Sequence, residues 1–198
     1  MRLIFAVLIA LPAAASAGHA QTDYYARVGV TGSSKLARDR VIQEIEVHSS
    51  LAPTLVLGVA LPFAPTYRAG LEAALTTSGY HVQELDTDSD LGTLRTVSLV
   101  LGLDGPIAGR LGWRGGVGLL GYWPTEEEGI FLRGGSTRFL IGGGIDFRPA
   151  LMRQWDLMMS LRYDFHRFTT EELTARGFTG SQGVHRISAC IGLARAHL

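Results

Sequence analysis

The sequence contains very little of several features that stabilise or locate proteins. Cys190 is the only cysteine among 198 residues, so no disulfide can form within the chain. Lys35 is the only lysine, although lysine and arginine together number 18, and the formal net charge is zero. A neutral chain gives no support for a nucleic-acid partner. Beyond residue 20 no apolar run approaches 18 residues, so no membrane-spanning helix is expected there.

The first twenty residues have the composition of a targeting segment. A positively charged start is followed by an apolar stretch at 3–11 and by a small-residue cleavage site at 15–17 or 18–20. This order is typical of a secretory signal peptide. Residues 1–20 are therefore predicted to be the signal peptide and residues 21–198 one exported domain. An uncleaved anchor helix is disfavoured, because the apolar stretch is shorter than the roughly 20 residues that a span requires.

Alternating apolar and polar residues dominate the exported part. In LRYDFHRF, residues 161–168, leucine, tyrosine and phenylalanine alternate with charged residues and histidine. Such alternation predicts a β-strand, because successive side chains of a strand point to opposite faces. Eight segments of this kind are bounded by turn residues. They lie at 23–32, 50–61, 67–78, 94–104, 108–122, 137–147, 155–167 and 184–196.

The connections between these segments alternate in length. Three are short, at 62–66, 105–107 and 148–154. Four are long and polar, at 33–49, 79–93, 123–136 and 168–183, and the ambiguous stretch 41–47 is assigned to the first of them. An even number of strands with short turns at one end and long loops at the other is the layout of an outer-membrane barrel. The segment lengths agree, since a tilted transmembrane strand needs roughly 9 to 11 residues.

The two faces of the predicted strands differ in composition. The apolar face collects Val28, Val30, Leu55, Leu57, Val59, Leu71, Leu75, Val97, Leu99, Leu101, Leu111, Trp113, Val117, Leu119, Phe139, Ile141, Ile145, Leu157, Met159, Leu161, Ile187, Ile191 and Leu193. The polar face collects arginines, carboxylates and hydroxyls, interspersed with glycine. In a soluble lipocalin-like barrel the apolar face would turn inward, whereas in a membrane barrel it faces lipid.

Three features favour the membrane sense. The polar face is rich in arginine, which suits buried ion pairs with several hydrogen bonds. Glycines in the fifth and sixth strands relieve crowding in a narrow barrel. Aromatic residues gather at both strand ends, as in the two interfacial belts of membrane proteins. They are Tyr24, Phe63, Tyr67, Phe147 and Trp155 toward the short turns, with Tyr80, Tyr122, Trp123, Phe165 and Phe168 toward the long loops.

With these features the mature chain resembles the small eight-stranded outer-membrane proteins of the OmpA-like and OmpX-like superfamily. The resemblance rests on the signal peptide, the eight strands and the alternating loop lengths, not on a diagnostic motif. It implies an all-β, antiparallel, up-and-down transmembrane barrel with short periplasmic turns and long extracellular loops. It also implies a location in the cell outer membrane.

The inward face is predicted to form an ion-pair network that fills the lumen, because an eight-stranded barrel is just wide enough for side chains. Buried charges are expensive without partners, so paired ones are expected. No wide channel and no cofactor are predicted. The predicted network residues are Arg27, Arg68, Glu72, Arg110, Arg114, Arg138, Asp146, Arg162, Asp164 and Arg186.

Other chemistries find weaker support. A lipid A-modifying enzyme, either deacylase or acyltransferase, would draw on His166, Asp164, His185 and Ser188, but no pair has the spacing of an activated nucleophile. His166 is instead expected at the barrel rim, bonded to a neighbouring Arg or Asp. The aspartates of 86–92 do not fit a calcium loop, because Leu91 instead of glycine follows the third aspartate and Val97 stands where the bidentate glutamate is required. No catalytic or metal site is therefore predicted.

The expected role is a membrane-embedded scaffold whose loops interact outside the cell. Its predicted partners are outer-membrane lipid and lipopolysaccharide, with an extracellular macromolecule as a candidate for the loops. A soluble exported ligand carrier of the lipocalin type is the alternative outside the membrane.

Overall fold

The computed structural model describes residues 22–39, 45–84, 87–126, 129–175 and 181–195. No helix in these ranges is long and apolar enough to cross a membrane. The helical elements there are a 3-10 turn (Gly129–Phe131) and a short helix α1 (Glu171–Ala175). The strands are β1 (Asp23–Ser33), β2 (Ala37–Asp39), β3 (Ile45–Ser49), β4 (Ala52–Pro62), β5 (Arg68–Glu84), β6 (Thr87–Ala108), β7 (Leu111–Pro124), β8 (Ser136–Phe147), β9 (Ala150–Met152), β10 (Trp155–Phe168) and β11 (Gln182–Arg195).

Eight antiparallel strands close into a barrel. They follow the order β5, β4, β1, β11, β10, β8, β7 and β6, and β6 pairs back onto β5. Closure leaves no free edge in the wall, so every wall strand is paired on both sides. The predicted all-β eight-stranded antiparallel barrel is confirmed. The turn end is defined here by the connections 63–67, 109–110 and 148–154, and the opposite end is the loop end.

The apolar face points outward. Every residue predicted for that face is exposed or half-buried, and Leu101 and Phe139 are 65% and 63% exposed. On the inner face, Arg27 and Glu72 are only 3% and 6% exposed. A soluble lipocalin-like barrel would show the reverse, so that alternative is wrong. An apolar outer wall around a polar interior is the arrangement that lipid requires.

The loop end contains more strand than predicted. The segments 33–49 and 79–93 are wrong as loops, because β2 and β3 lie in the first and the ends of β5 and β6 occupy the second. Residues 45–47 of the ambiguous stretch 41–47 belong to β3, which pairs with the end of β5. The reason is that β5 and β6 continue to pair beyond the wall. The other edge of β5 is not covered by β4 there, so β3 can pair with it.

The turn between β6 and β7 is also displaced from its predicted place. Residues 105–107 lie within β6, and Gly109 and Arg110 form the turn. Gly109 has a φ of +54°, a left-handed conformation that glycine adopts without a steric penalty. Pro106 adjoins a register shift between Pro106 and Ala108, where its missing N–H does not interrupt the ladder.

A charge on the outer wall should destabilise the barrel according to its depth. We expect Leu101→Arg to lower the free energy of unfolding by about 2–4 kcal/mol, because the new guanidinium must enter the hydrocarbon. Ile107 is also exposed but lies next to the turn, so Ile107→Arg should lower the free energy of unfolding by only about 0–1 kcal/mol. Urea unfolding in lipid vesicles measures both values. Equal costs at the two depths would contradict the assignment of the wall to lipid.

Candidate functional site

The lumen collects most of the charged side chains that the sequence analysis singled out. Strand alternation places the odd-numbered residues of β1 and the even-numbered residues of the other seven wall strands inside. Tyr25 stands among them, and its ring lies over Gly58, where an added Cβ would come within 2.1 Å of the ring. Only glycine at this position leaves room for the aromatic ring inside the wall.

Glu72 on β5 is the centre of an ion-pair network. Its Oε2 accepts hydrogen bonds from Arg27 and from Arg114 Nη1 at 2.5 Å, and its Oε1 accepts one from Arg162 Nη1 at 3.0 Å. The hydroxyl of Tyr25 donates to Oε2 at 3.1 Å and accepts a hydrogen bond from Arg114. The guanidinium carbons of Arg27 and Arg114 also lie 5.0 and 4.6 Å from the Tyr25 ring centroid.

Two aspartates complete this network. Asp146 on β8 lies 3.0 Å from Arg114 Nη2 and 3.5 Å from Arg27 Nη1. Asp164 on β10 accepts a hydrogen bond of 2.7 Å from Arg162 Nε. Six of the ten predicted network residues are therefore in contact, and all six come from different strands except for Arg162 and Asp164.

A second ionic cluster occupies the turn end. Arg68 pairs with Asp23 and, at 3.3 Å, with Asp104. Arg148 lies 3.6 Å from Asp23 and 3.5 Å from Asp104. Of these residues the sequence analysis named only Arg68. Asp23 and Asp104 lie at inward-facing positions of their strands, so alternation could have predicted them. Arg148 lies in the predicted turn 148–154, where alternation predicts nothing.

The prediction for Arg110 is wrong. Arg110 is exposed in the turn between β6 and β7, and its backbone carbonyl accepts a hydrogen bond from the N–H of Arg148 at 3.0 Å. The parity argument failed because β7 begins at Leu111 instead of residue 108. Alternation places a side chain only where the strand has already begun.

A girdle of hydroxyl groups lies above the network, toward the loop end. Thr31 Oγ1 shares hydrogen bonds with Thr54 at 2.6 Å and with Ser188 at 2.8 Å. Thr54 in turn lies 3.2 Å from Thr76. Arg186, another predicted network residue, contacts this girdle. Arg138, the last of the ten, donates a hydrogen bond to the carbonyl oxygen of Thr169.

An apolar cluster, the cap, closes the loop end of the lumen. Phe131 from the 3-10 turn is fully buried, and its ring centroid lies 5.8 Å from Tyr80, 5.9 Å from Phe168 and 6.2 Å from Tyr122. The predicted lipid belt at this end is therefore wrong for Tyr80, Tyr122 and Phe168, which are 0%, 3% and 1% exposed. Their even numbers already placed them on the inward face. The full cap is Leu36, Val47, Tyr80, Leu94, Val100, Leu120, Tyr122, Ile130, Phe131, Leu140, Phe168, Leu173 and Val184.

The enzyme candidates do not converge. His166 is 1% exposed, and its Nε2 shares a hydrogen bond of 2.6 Å with the Tyr122 hydroxyl, so its predicted place at the rim beside Arg or Asp is wrong. His185 is exposed on the outer wall, where its Nδ1 lies 2.5 Å from the Tyr163 hydroxyl. Ser188 belongs to the inner girdle. The side chains of the aspartates within 86–92 lie outside the described residues.

The Tyr25 hydroxyl should contribute measurably to stability. We expect Tyr25→Phe to lower the free energy of unfolding by about 1.5–3 kcal/mol, because hydrogen bonds to charged groups are lost in a buried site. The neighbouring Tyr24 is 46% exposed on the outer wall, and Tyr24→Phe should change it by no more than about 0.5 kcal/mol. Urea titration of both variants in detergent tests this, and a neutral Tyr25→Phe would contradict the described hydrogen bonds.

The architecture is similar to that of known proteins, although the sequence is not. No family model and no curated protein matches the sequence. Among solved structures, the outer membrane protein OprG from Pseudomonas aeruginosa is 16% identical, with a TM-score of 0.51, over 91% of this chain and 99% of that one. Neisserial surface protein A is 10% identical, with a TM-score of 0.57, over 89% and 97%. The chain has the fold of a small outer-membrane barrel.

A third structure extends this comparison to a barrel studied in a bilayer. The outer membrane protein AlkL, determined in lipid bilayers, is 14% identical to the barrel described here, with a TM-score of 0.54, over 92% of this chain and 96% of that one. The shared fold and the apolar outer wall together support the predicted outer-membrane location. At sequence identities this low, the structural similarity shows the fold alone and gives no information on the lumen of this chain.

Proposed function

We propose that the protein is an integral outer-membrane scaffold with a closed lumen, which presents its long connections outside the cell. In this proposal the turn end faces the periplasm and the loop end faces the exterior. The outer wall contacts membrane lipid and lipopolysaccharide, and the long connections contact an extracellular macromolecule. The protein has no catalytic role, which agrees with the position of His185 on the outer wall, whereas His166 and Ser188 lie inside the barrel.

The main support for this proposal is that side chains fill the lumen almost completely. Three cavities lie along the described lumen, and their volumes are about 10, 20 and 30 Å³. A single water molecule needs roughly 10–15 Å³, so each of these cavities has room for about one or two waters at most. A larger cavity of about 480 Å³ lies at the turn end, and the ion-paired Arg68, Asp104 and Arg148 form part of its lining. The ion pairs and the cap therefore stand between the two ends.

Conductance measurements test the closed lumen. The full chain would be reconstituted in planar lipid bilayers beside a general diffusion porin as the positive control. We expect no stable ohmic steps from this protein, because the ionic network and the cap obstruct the lumen in series. Reproducible steps from the pure protein, together with swelling of proteoliposomes in a small sugar, would refute closure.

Labelling of single cysteines tests the orientation. In a Cys190→Ser background, Arg133→Cys places a thiol at an exposed position of the connection between β7 and β8. The matched Arg153→Cys places one at an exposed position in the connection between β8 and β10. A membrane-impermeant maleimide should label Arg133→Cys in intact cells and Arg153→Cys only after permeabilisation. The reverse pattern would invert the proposed orientation.

A further inference from the structure

Arg186 differs from the other deeply buried arginines of the lumen in its partners. It is 9% exposed, and its Nη2 donates to the hydroxyls of Thr76 at 3.4 Å and Thr96 at 3.2 Å. Arg27 and Arg114, buried to a similar depth, each contact two carboxylates. A guanidinium has five N–H donors. Within the described residues, Arg186 donates its side-chain hydrogen bonds to these two hydroxyl groups, and no carboxylate is among its acceptors.

The carboxylate opposite Arg186 is engaged elsewhere. Asp164 is its partner in the register of β10 and β11, but the Asp164 carboxylate accepts from Arg162 Nε and lies outside ion-pair distance of Arg186. It leans toward β8, where Asp164 Oδ1 would be only 1.7 Å from a Cβ added at Gly142. A buried cation without a compensating negative charge is strongly unfavourable. Among the described residues, Asp164 therefore attracts Arg186 only from beyond ion-pair distance, and no carboxylate contacts its guanidinium.

A small cavity beside Arg186 has the chemistry of an anion site. Its volume is about 20 Å³, and hydroxyl-bearing residues from four wall strands and from β3 line it. Thr31, Ser33, Ser49, Thr76 and Thr96 are among them, and no carboxylate of the described residues lines it. Hydroxyl groups can turn their hydrogens toward an acceptor, and the guanidinium supplies the positive charge. Such a lining binds a negative ion well and a cation poorly.

Size and depth identify the class of ion. The cavity exceeds the roughly 10–15 Å³ that one water needs, but a tetrahedral oxyanion such as phosphate is considerably larger. A chloride or bromide ion is close to water in size. Water alone would accept hydrogen bonds without compensating the charge. Leu36, Leu94 and Tyr122 of the cap also line the cavity, so it lies beneath the apolar closure of the loop end.

We propose that the barrel binds a single halide ion in this cavity, in contact with Arg186 and with the hydroxyl groups of Thr76 and Thr96. The ion completes the charge balance of the loop-side half of the lumen and stabilises the folded barrel. This proposal depends on the described lumen alone and is independent of the proposed orientation and closure.

Bromide locates the ion directly. Crystals of the full chain grown in sodium bromide should show an anomalous difference peak within hydrogen-bond distance of Arg186. The same crystals of Arg186→Met should lack this peak. A carboxylate from another part of the chain in contact with Arg186, with no bromide peak, would overturn the proposal.

Unfolding experiments measure the contribution of the ion. Urea titrations would compare sodium bromide with sodium gluconate at equal ionic strength, so that general screening is constant. A ligand at ten times its Kd raises the folding equilibrium constant about tenfold, and we expect a saturable increase of this kind for the unmodified chain. Arg186→Met should lose the increase. Thr96→Val, which keeps the charge but removes one hydroxyl, should shift saturation to higher bromide concentrations.

The matched control is Arg133→Met, which removes an exposed arginine of the loop end. It should keep the full bromide dependence. The proposal is wrong if Arg186→Met keeps the same dependence as the unmodified chain, or if the unmodified chain shows none. These outcomes can be distinguished from the conductance result. A closed lumen without a halide gives no conductance steps and no bromide dependence, whereas an open lumen with a halide gives both.

Discussion

Glu72→Gln is expected to destabilise the barrel by about 3–5 kcal/mol, because removing one partner of a buried ion pair leaves charges uncompensated. Glu72 is 6% exposed and accepts hydrogen bonds from Arg27, Arg114 and Arg162. Glutamine keeps the size of the side chain and removes the charge that the three guanidinium groups share. Urea titration in detergent measures the loss, and heat-modifiable migration on a gel reports the folded fraction.

Two further variants separate the network from a general charge effect. Glu171→Gln makes the same change at an exposed position of α1 and should alter the free energy of unfolding by no more than about 0.5 kcal/mol. Combining Glu72→Gln with Arg162→Met should cost less than the sum of the single changes, by about 0.5–3 kcal/mol, because the residues are in direct contact. Additive costs would show that Glu72 and Arg162 do not act as a pair.

Phe131→Ala is expected to cost about 3–5 kcal/mol, because it removes a fully buried aromatic ring from the cap. Phe131 is the most deeply buried of the described side chains in the connection between β7 and β8, and the rings of Tyr80, Tyr122 and Phe168 surround it. Loss of the ring should therefore also expose this connection to protease in intact cells. Urea titration and limited proteolysis provide the two measurements.

The control for Phe131→Ala is the adjacent residue. Leu132 is 53% exposed, and Leu132→Ala should change the free energy of unfolding by no more than about 0.5 kcal/mol and leave protease resistance unchanged. If both variants behaved alike, the cap would not be attached through Phe131. If Phe131→Ala were stable but its connection were cleaved rapidly, Phe131 would still hold the connection in place. Its contribution to the free energy of unfolding would then be smaller than expected.

The faces of the wall could be predicted because they follow from a local property. Each predicted strand overlaps one of the eight wall strands. Alternation separated Leu101 from Glu72 on opposite faces, and the arginine-rich composition of the polar face indicated which face is inside. Side chains were misplaced where composition was allowed to override parity, or where parity was applied before the strand begins. Tyr122 and Phe168 were assigned to a lipid belt because they are aromatic, although their even numbers put them inside. Arg110 was assigned to the lumen by its even number, although its strand begins one residue later.

The partners inside the lumen could not be predicted, because they depend on closure. Glu72 and Arg162 are 90 residues apart and meet only when β5 and β10 face each other across the lumen. Asp164 turns toward Gly142, which leaves Arg186 among hydroxyl groups, and this follows from the register and not from composition. Phe131 carries no periodic signal at all, and only the path of its connection brings it to Tyr80.

The sequence by itself therefore determined the class of fold and which side chains enter the lumen, since alternation is a property of neighbouring residues. The tertiary structure decided which arginine meets which carboxylate, that Arg186 meets hydroxyl groups instead, and what fills the mouth of the barrel. Those contacts are set by the shear and closure of the sheet, which bring together residues that are remote along the chain.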